Sequence, residues 1–282
     1  MRWRGRRQST NVDDRRGKRP PAMVGGGIGV ILIAVVIALL GGNPQQFLQQ
    51  AQQRGGQAGG EARPLTPEQE EAAAFTKTIF ADSEDVWNRV FQASGMTYRE
   101  PTLVLFSDGT DSACGRASSG TGPFYCPADQ KVYLDLSFFS QLARQLNAPG
   151  DFAQAYVVAH EVGHHVQKLL GTTDKLDQLR QRLPEVEYNK YSVRLELQAD
   201  FLAGVMLHHA NERHDFLEPG DVEEALNAAR MIGDDTLQMR SRGYVTPESF
   251  NHGTSEQRIR WFNKGFQTGD LSQMDTFAVE RL

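Results

Sequence analysis

His160 and His164 lie four residues apart in the stretch AYVVAHEVGHHVQKLLG, Ala155 to Gly171, with Glu161 directly after the first histidine. On a helix, residues four apart stack one turn above each other, so both imidazoles leave the same face. Two ring nitrogens presented this way can meet one zinc ion at ~2.0–2.1 Å. Glu161, rotated by ~100° about the helix axis, falls to the side. It is poorly placed to ligate the same ion, but it reaches a water held there and can take that water's proton. The spacing is the H-E-x-x-H pattern of helical zinc hydrolases. The competing reading is ordinary core or surface histidines. Tyr156, Val157, Val158, Val162 and Val166 argue against it by predicting a buried helix. Two histidines and a glutamate without partners would be costly there.

A catalytic zinc needs a third protein ligand and one open position. The metzincin continuation would put glycine at 167 and His or Asp at 170, whereas the chain has Gln167 and Leu170. Asp174 would need a tight fold-back just past the helix end. Glu196 and Asp200, in ELQAD, share a face at i, i+4 on a second long helix among Leu195, Leu197, Ala199, Phe201 and Leu202. Glu196 is the expected third ligand. Asp200 is expected to accept a hydrogen bond from the far nitrogen of a ligating histidine. His165 points elsewhere and suits packing or a hydrogen bond. His208 and His209 lie ~18 Å along the axis from Glu196, too far to share its ion. His252, in NHGTSEQ, is a candidate donor to the oxyanion of a tetrahedral intermediate, although a structural role at a helix entry fits equally well. Tyr244 is a weaker candidate for that task.

These side chains need elements to hold them. TPEQ places Thr66 as N-cap, Pro67 at the first helical position and Gln69 in a capping box. Phe75, Ile79, Val86, Val90 and Phe91 then give an apolar face up to Gly95. PTLVLFSDG and KVYLDLSFF read as short strands. Tyr133, Leu134, Asp135 and Leu136 are expected to form an edge strand that receives extended peptide by strand addition, against an even alternative of an interior strand. Asp151 is expected to cap the histidine-bearing helix, with Gln154 three residues on, and Gly171 to close it. Further helices are expected over residues 188–209, 220–232 and, after TSEQ, 255–266. The sum is one α+β domain over 66–282, helix-rich, with a small sheet ahead of the histidine-bearing helix.

Charge divides the chain. Residues 1–21 hold eight basic side chains against Asp13 and Asp14, a net of +6 within a total of −5, and residues 22–42 hold none, so 43–282 carries −11. The uncharged run is long enough for a membrane span, and its glycines weaken it as a soluble helix. The preceding arginines predict a cytoplasmic arm over 1–21, a transmembrane helix over 22–42 and a body on the outer side. Residues 43–65, rich in Gly and Gln, read as a flexible linker. The acidic body and the span argue against nucleic acid as a partner. Cys114 and Cys126 are the only cysteines. In an extracytoplasmic body they are expected to close a disulfide, with two free buried thiols as the alternative.

HEVGHHVQ followed by ELQADFLAGV, with CGRASSGTGPFYCPADQKVYLD upstream and HGTSEQRIRWFNKGF downstream, resembles the bacterial putative neutral zinc metallopeptidase family. The resemblance runs over nearly the whole chain, including the MRWRGRRQSTNVDDRRG start. It implies a zincin-like domain with Glu196 as third ligand, one catalytic Zn2+ and hydrolysis of a protein or peptide substrate. The expected chain is a single-pass membrane metallopeptidase with an extracytoplasmic catalytic domain. Its rival is a membrane-tethered zinc-binding scaffold without turnover. A structural zinc would want a fourth protein ligand, and the sequence offers none.

Overall fold

The computed structural model describes residues 1–17 and 64–282. The expected span over 22–42 and nearly all of the linker over 43–65 lie outside the described residues. Among the described residues, no helix is long and apolar enough to cross a membrane.

Among the described residues, strand β1 (Val12–Asp14) comes first and helix α1 (Pro67–Ala93) next. Thr66 caps α1, and its capping box with Gln69 is formed in both directions. Strands β2 (Thr102–Phe106), β3 (Gly109–Ser112), β4 (Gly115–Ser118), β5 (Phe124–Cys126) and β6 (Lys131–Asp135) come next. The main sheet runs in the order β1-β2-β6-β5, while β3 and β4 form a separate hairpin. The first three strands of the main sheet are parallel, and β5 is antiparallel to β6. Alternation along β2 decides what each face covers. Leu103 and Leu105 enter the main core, whereas Val104 and Phe106 join Ala117, Cys126 and Tyr133 on the other face. There Phe124 stacks on Tyr133 with ring centroids 4.8 Å apart.

Seven further helices complete the domain: α2 (Ser137–Arg144), α3 (Asp151–Leu169), α4 (Thr172–Arg180), α5 (Glu185–His214), α6 (Asp221–Met231), α7 (Asp234–Arg242) and α8 (Ser255–Thr268). The fold is α+β and helix-rich, with small sheets. Phe152, Tyr156, Phe201 and Phe262 are completely buried among α3, α5 and α8. Thr254 caps α8 through the expected box with Gln257. Asp151 is not a cap. Gly150 occupies that position, and the Asp151 carboxylate instead receives the amino group of Met1 at 2.9 Å.

Two expectations need correction. β6 is an interior strand: Tyr133 pairs with Val104 on one side and Phe124 on the other. Tyr133, Leu134, Asp135 and Leu136 are all buried, so no open edge exists at Tyr133 for a peptide to join. Residues 1–17 are also not a separate arm. β1 pairs with β2 in register, Val12 opposite Leu103, and Arg7 reaches Glu84 and Asp85 of α1 at 2.8 Å each. Arg6 pairs with Asp82, and Arg16 with Asp14. The basic charge read as a topology signal therefore neutralises acids of the segment itself and of α1. One membrane crossing between residues 17 and 64 would place on opposite faces two strands that are hydrogen-bonded here. Cys114 and Cys126 are joined as a disulfide.

Candidate metal centre

Helices α3 and α5 bring together the residues that the sequence set 32 to 36 positions apart. Gly163 makes their approach possible: a Cβ there would lie 2.9 Å from the carbonyl oxygen of Ala199. At that crossing Glu196 faces both histidines, its carboxylate oxygens 3.2 Å from His160 Nε2 and 3.6 Å from His164 Nε2. One donor atom from each of the three residues lies within 4.8 Å of the others.

The opposite ring nitrogens are committed elsewhere. His160 Nδ1–H donates to Asp200 Oδ1 at 2.8 Å. His164 Nδ1–H donates to Gln167 Oε1 at 2.9 Å. The Gln167 amide nitrogen donates to the Leu195 carbonyl and to Gln198, which fixes which end of the amide faces the imidazole. Each histidine thus turns Nε2 toward Glu196, the arrangement in which outer partners set the tautomer of a metal ligand.

Asp200 is fully buried and fully used. Its Oδ1 accepts from Tyr156 Oη–H at 2.6 Å, from His160, and from one Arg258 nitrogen at 2.9 Å; its Oδ2 accepts from Arg258 Nε at 2.8 Å. Burial works against the Asp200 charge, yet Arg258 and His160 hold its pKa down at about 2. Burial likewise opposes charge on His160, but Asp200 and Glu196 outweigh it and lift the pKa to about 10. Burial would raise Glu196 too, and the two imidazoles keep it well below the usual carboxylate range. The cluster therefore wants positive charge at its centre. Two imidazole nitrogens and one carboxylate, with outer partners in place, fit a zinc ion by donor type and by charge.

Glu161 is almost fully buried beside this cluster, and among the described residues nothing hydrogen-bonds its carboxylate. His252 enters from the turn between α7 and α8. Its Nδ1 lies 3.2 Å from Asp234 Oδ1, while Asp234 Oδ2 accepts the backbone N–H groups of Asn251, His252 and Gly253. Burial lowers the His252 pKa, but Asp234 and the nearby Glu196 raise it overall. The ring is half-exposed, at 49% of its side-chain surface, with Nε2 unclaimed by any described residue.

Other candidates fall away. Asp174 pairs with Lys168. Tyr244 is 59% exposed and packs on Arg242. His165 has the packing role expected of it, donating from Nε2 to the Arg99 carbonyl at 2.6 Å and lying 3.0 Å from the Tyr125 hydroxyl. Sequence reasoning missed Gln167, Asp234, Tyr156 and Arg258. Tyr156 was visible in principle, one turn before His160 on the same face; Arg258 carried no local signal.

The profile of the putative neutral zinc metallopeptidase family matches residues 1–277. The uncharacterized protein YpfJ of Escherichia coli K12 is 48% identical over 285 aligned positions, covering 99% of both chains. The uncharacterized protein Rv2575 of Mycobacterium tuberculosis is 43% identical over 195, covering 66% of this chain and 65% of its own. No solved structure matches. With the H-E-x-x-H helix, the Glu196 carboxylate and this coverage together, the chain belongs to the putative neutral zinc metallopeptidase family.

Proposed function

We propose that the protein is a zinc-dependent metallopeptidase that hydrolyses peptide bonds with Glu161 as general base. The observation that carries this reading is the convergence of His160 Nε2, His164 Nε2 and Glu196 beside Glu161, a largely buried residue whose carboxylate has no protein hydrogen-bond partner among the described residues. Zinc held by those three residues would supply a Lewis acid that polarises the scissile carbonyl and acidifies water. Glu161 takes the proton from the attacking water and returns it to the leaving amine. His252, braced by Asp234, donates from Nε2 to the oxygen on which negative charge develops. Asp200 and Gln167 hold the two imidazoles in orientation.

Extended substrate has a natural place at β5. It is the outer strand of the sheet next to α3, with no strand on its far side among the described residues. Phe124, Tyr125 and Cys126 thus replace Tyr133–Leu136 as the proposed strand-addition surface. We also propose that the apolar run over 22–42 holds the chain at a lipid bilayer, with the domain in an oxidising compartment where Cys114 and Cys126 pair. The arm lies on the same side as the domain.

The test uses the full chain, because truncation at residue 66 would remove β1. Wild type and Glu161→Gln are loaded with zinc and assayed on an unstructured protein. Both should hold the ion at His160, His164 and Glu196, while the variant loses about 10²–10⁴-fold in kcat. Zinc retained by both with equal cleavage would remove Glu161 from the mechanism. Zinc retained with no cleavage by either would favour the zinc-binding scaffold.

A further inference from the structure

His208, His209 and Glu212 form a second convergent group, far from the first. They lie on α5 some ~18 Å beyond Glu196 at ~1.5 Å per residue. Adjacent histidines normally diverge by ~100° around a helix. Here Glu212 stands between them, at i+4 from one and i+3 from the other. Its carboxylate lies 3.6 Å from His208 Nε2 and 2.8 Å from His209 Nδ1. One donor atom from each residue lies within 4.8 Å of the others.

The remaining ring nitrogens are tied to the end of α8. His208 Nδ1–H donates to the Phe266 carbonyl at 2.7 Å, and His209 Nε2–H donates to the Gly269 carbonyl at 3.0 Å. Gly269 is the left-handed C-cap of α8, and a Cβ there would come within 2.4 Å of the His208 ring. These two bonds fix complementary tautomers: His208 keeps its lone pair on Nε2 and His209 keeps its lone pair on Nδ1. Both face the same carboxylate. A neutral His209 would then set a lone pair against a carboxylate oxygen at 2.8 Å, which is repulsive unless a proton or a metal ion lies between them.

We propose that His208, His209 and Glu212 form a second site for a divalent transition-metal ion, a clip that joins α5 to the C-terminal end of α8. Two imidazoles and one carboxylate, each imidazole oriented through its far nitrogen, suit zinc or a neighbouring ion. Coordination makes the opposite N–H of each ring a stronger donor. The bonds to the Phe266 and Gly269 carbonyls therefore tighten when the ion is bound. Because α5 carries Glu196 and Asp200 and α8 carries Arg258, the clip braces the two helices that position the first centre.

The full-length protein is stripped with chelator and titrated with Zn2+, with the bound ions counted by native mass spectrometry and thermal unfolding followed in parallel. Wild type should take two ions, the second raising Tm. Glu212→Gln, at an exposed position, should take one ion and lose that increment; His209→Gln should behave the same way. His164→Gln should lose the other ion and keep the increment. Two ions in Glu212→Gln would place the second ion elsewhere, and only one in wild type that Glu212→Gln leaves in place would leave the three residues a hydrogen-bonded group without an ion; either result would overturn the clip.

Discussion

Asp200 shows how a single buried carboxylate organises the centre. It is shared by Tyr156, His160 and Arg258 and has no access to water. Removing one partner of such a pair leaves an uncompensated charge, at a cost of about 3–5 kcal/mol. Arg258→Leu should therefore lower stability by that order in urea unfolding. Arg258→Leu combined with Asp200→Asn should be less destabilised than Arg258→Leu alone, and a double variant that is worse would place the cost elsewhere. His165 gives the pH dependence. Burial holds it at about 4, against 6.5 for a free imidazole. As pH falls, the unfolded chain takes up this proton first, so stability is lost between 6.5 and about 4, by roughly 3 kcal/mol at most. Urea midpoints of wild type and His165→Gln should converge as pH drops through that window; parallel curves would exclude His165 as a source of acid lability. The grouping of His160, His164, Glu161, Glu196 and Asp200 was legible because helical spacing alone sets which side chains share a face. Gln167 appeared only as a glycine missing from another family's pattern. Its role depends on Leu195 and Gln198, which only the α3–α5 crossing brings near.

Helix α3, expected between a cap at Asp151 and a close at Gly171, was found over Asp151–Leu169, because its apolar spacing and the closing Gly171 agree. α5 runs Glu185–His214, longer at both ends than expected, since nothing between residues 185 and 214 breaks a helix. The strand order was not legible. Pairing of β1 with β2 across more than 85 residues leaves no local trace, and β6 looks the same in sequence whether interior or edge. The close approach of helices was written in glycines whose meaning emerges only in three dimensions. Gly163 allows α5 to approach α3, and Gly265 does so for α8, where a Cβ would lie 2.1 Å from the Phe201 carbonyl. Gly163→Ala should gain about 1 kcal/mol of helix propensity. It must nevertheless push α5 away from α3, and Glu196 moves with it. The expected result is a loss of zinc affinity of about 10–100-fold, comparable to disturbing the groups that orient a ligand. Chelator competition measures this directly, and unchanged affinity would mean that the crossing has slack.

At the scale of the molecule, the start of the chain completes the domain. Met1 sets its amino group among Asp151, Glu218 and Asp221, at the N-termini of α3 and α6, while Arg6 and Arg7 cover acids of α1 and β1 extends the sheet. Charge and hydropathy along the sequence pointed to an arm parted from the body by a membrane, because those patterns report on segments and not on their partners. In the fold, the same arginines have carboxylates waiting for them. In this packing, an exposed residue just before β1 and an exposed residue of α8 share one side of any bilayer. Thr10→Cys and Gln267→Cys, each introduced into the full-length chain at an exposed position, should then react alike with a membrane-impermeant maleimide on intact cells. Labelling of Gln267→Cys without Thr10→Cys would show β1 undocked and the arm across the membrane. The domain would then have to hold its sheet with β2 at the edge, exposing the unpaired backbone of Leu103 to Leu105 to any strand that can reach it. Equal labelling means the domain is assembled from both ends of the chain, with β1 protecting that edge.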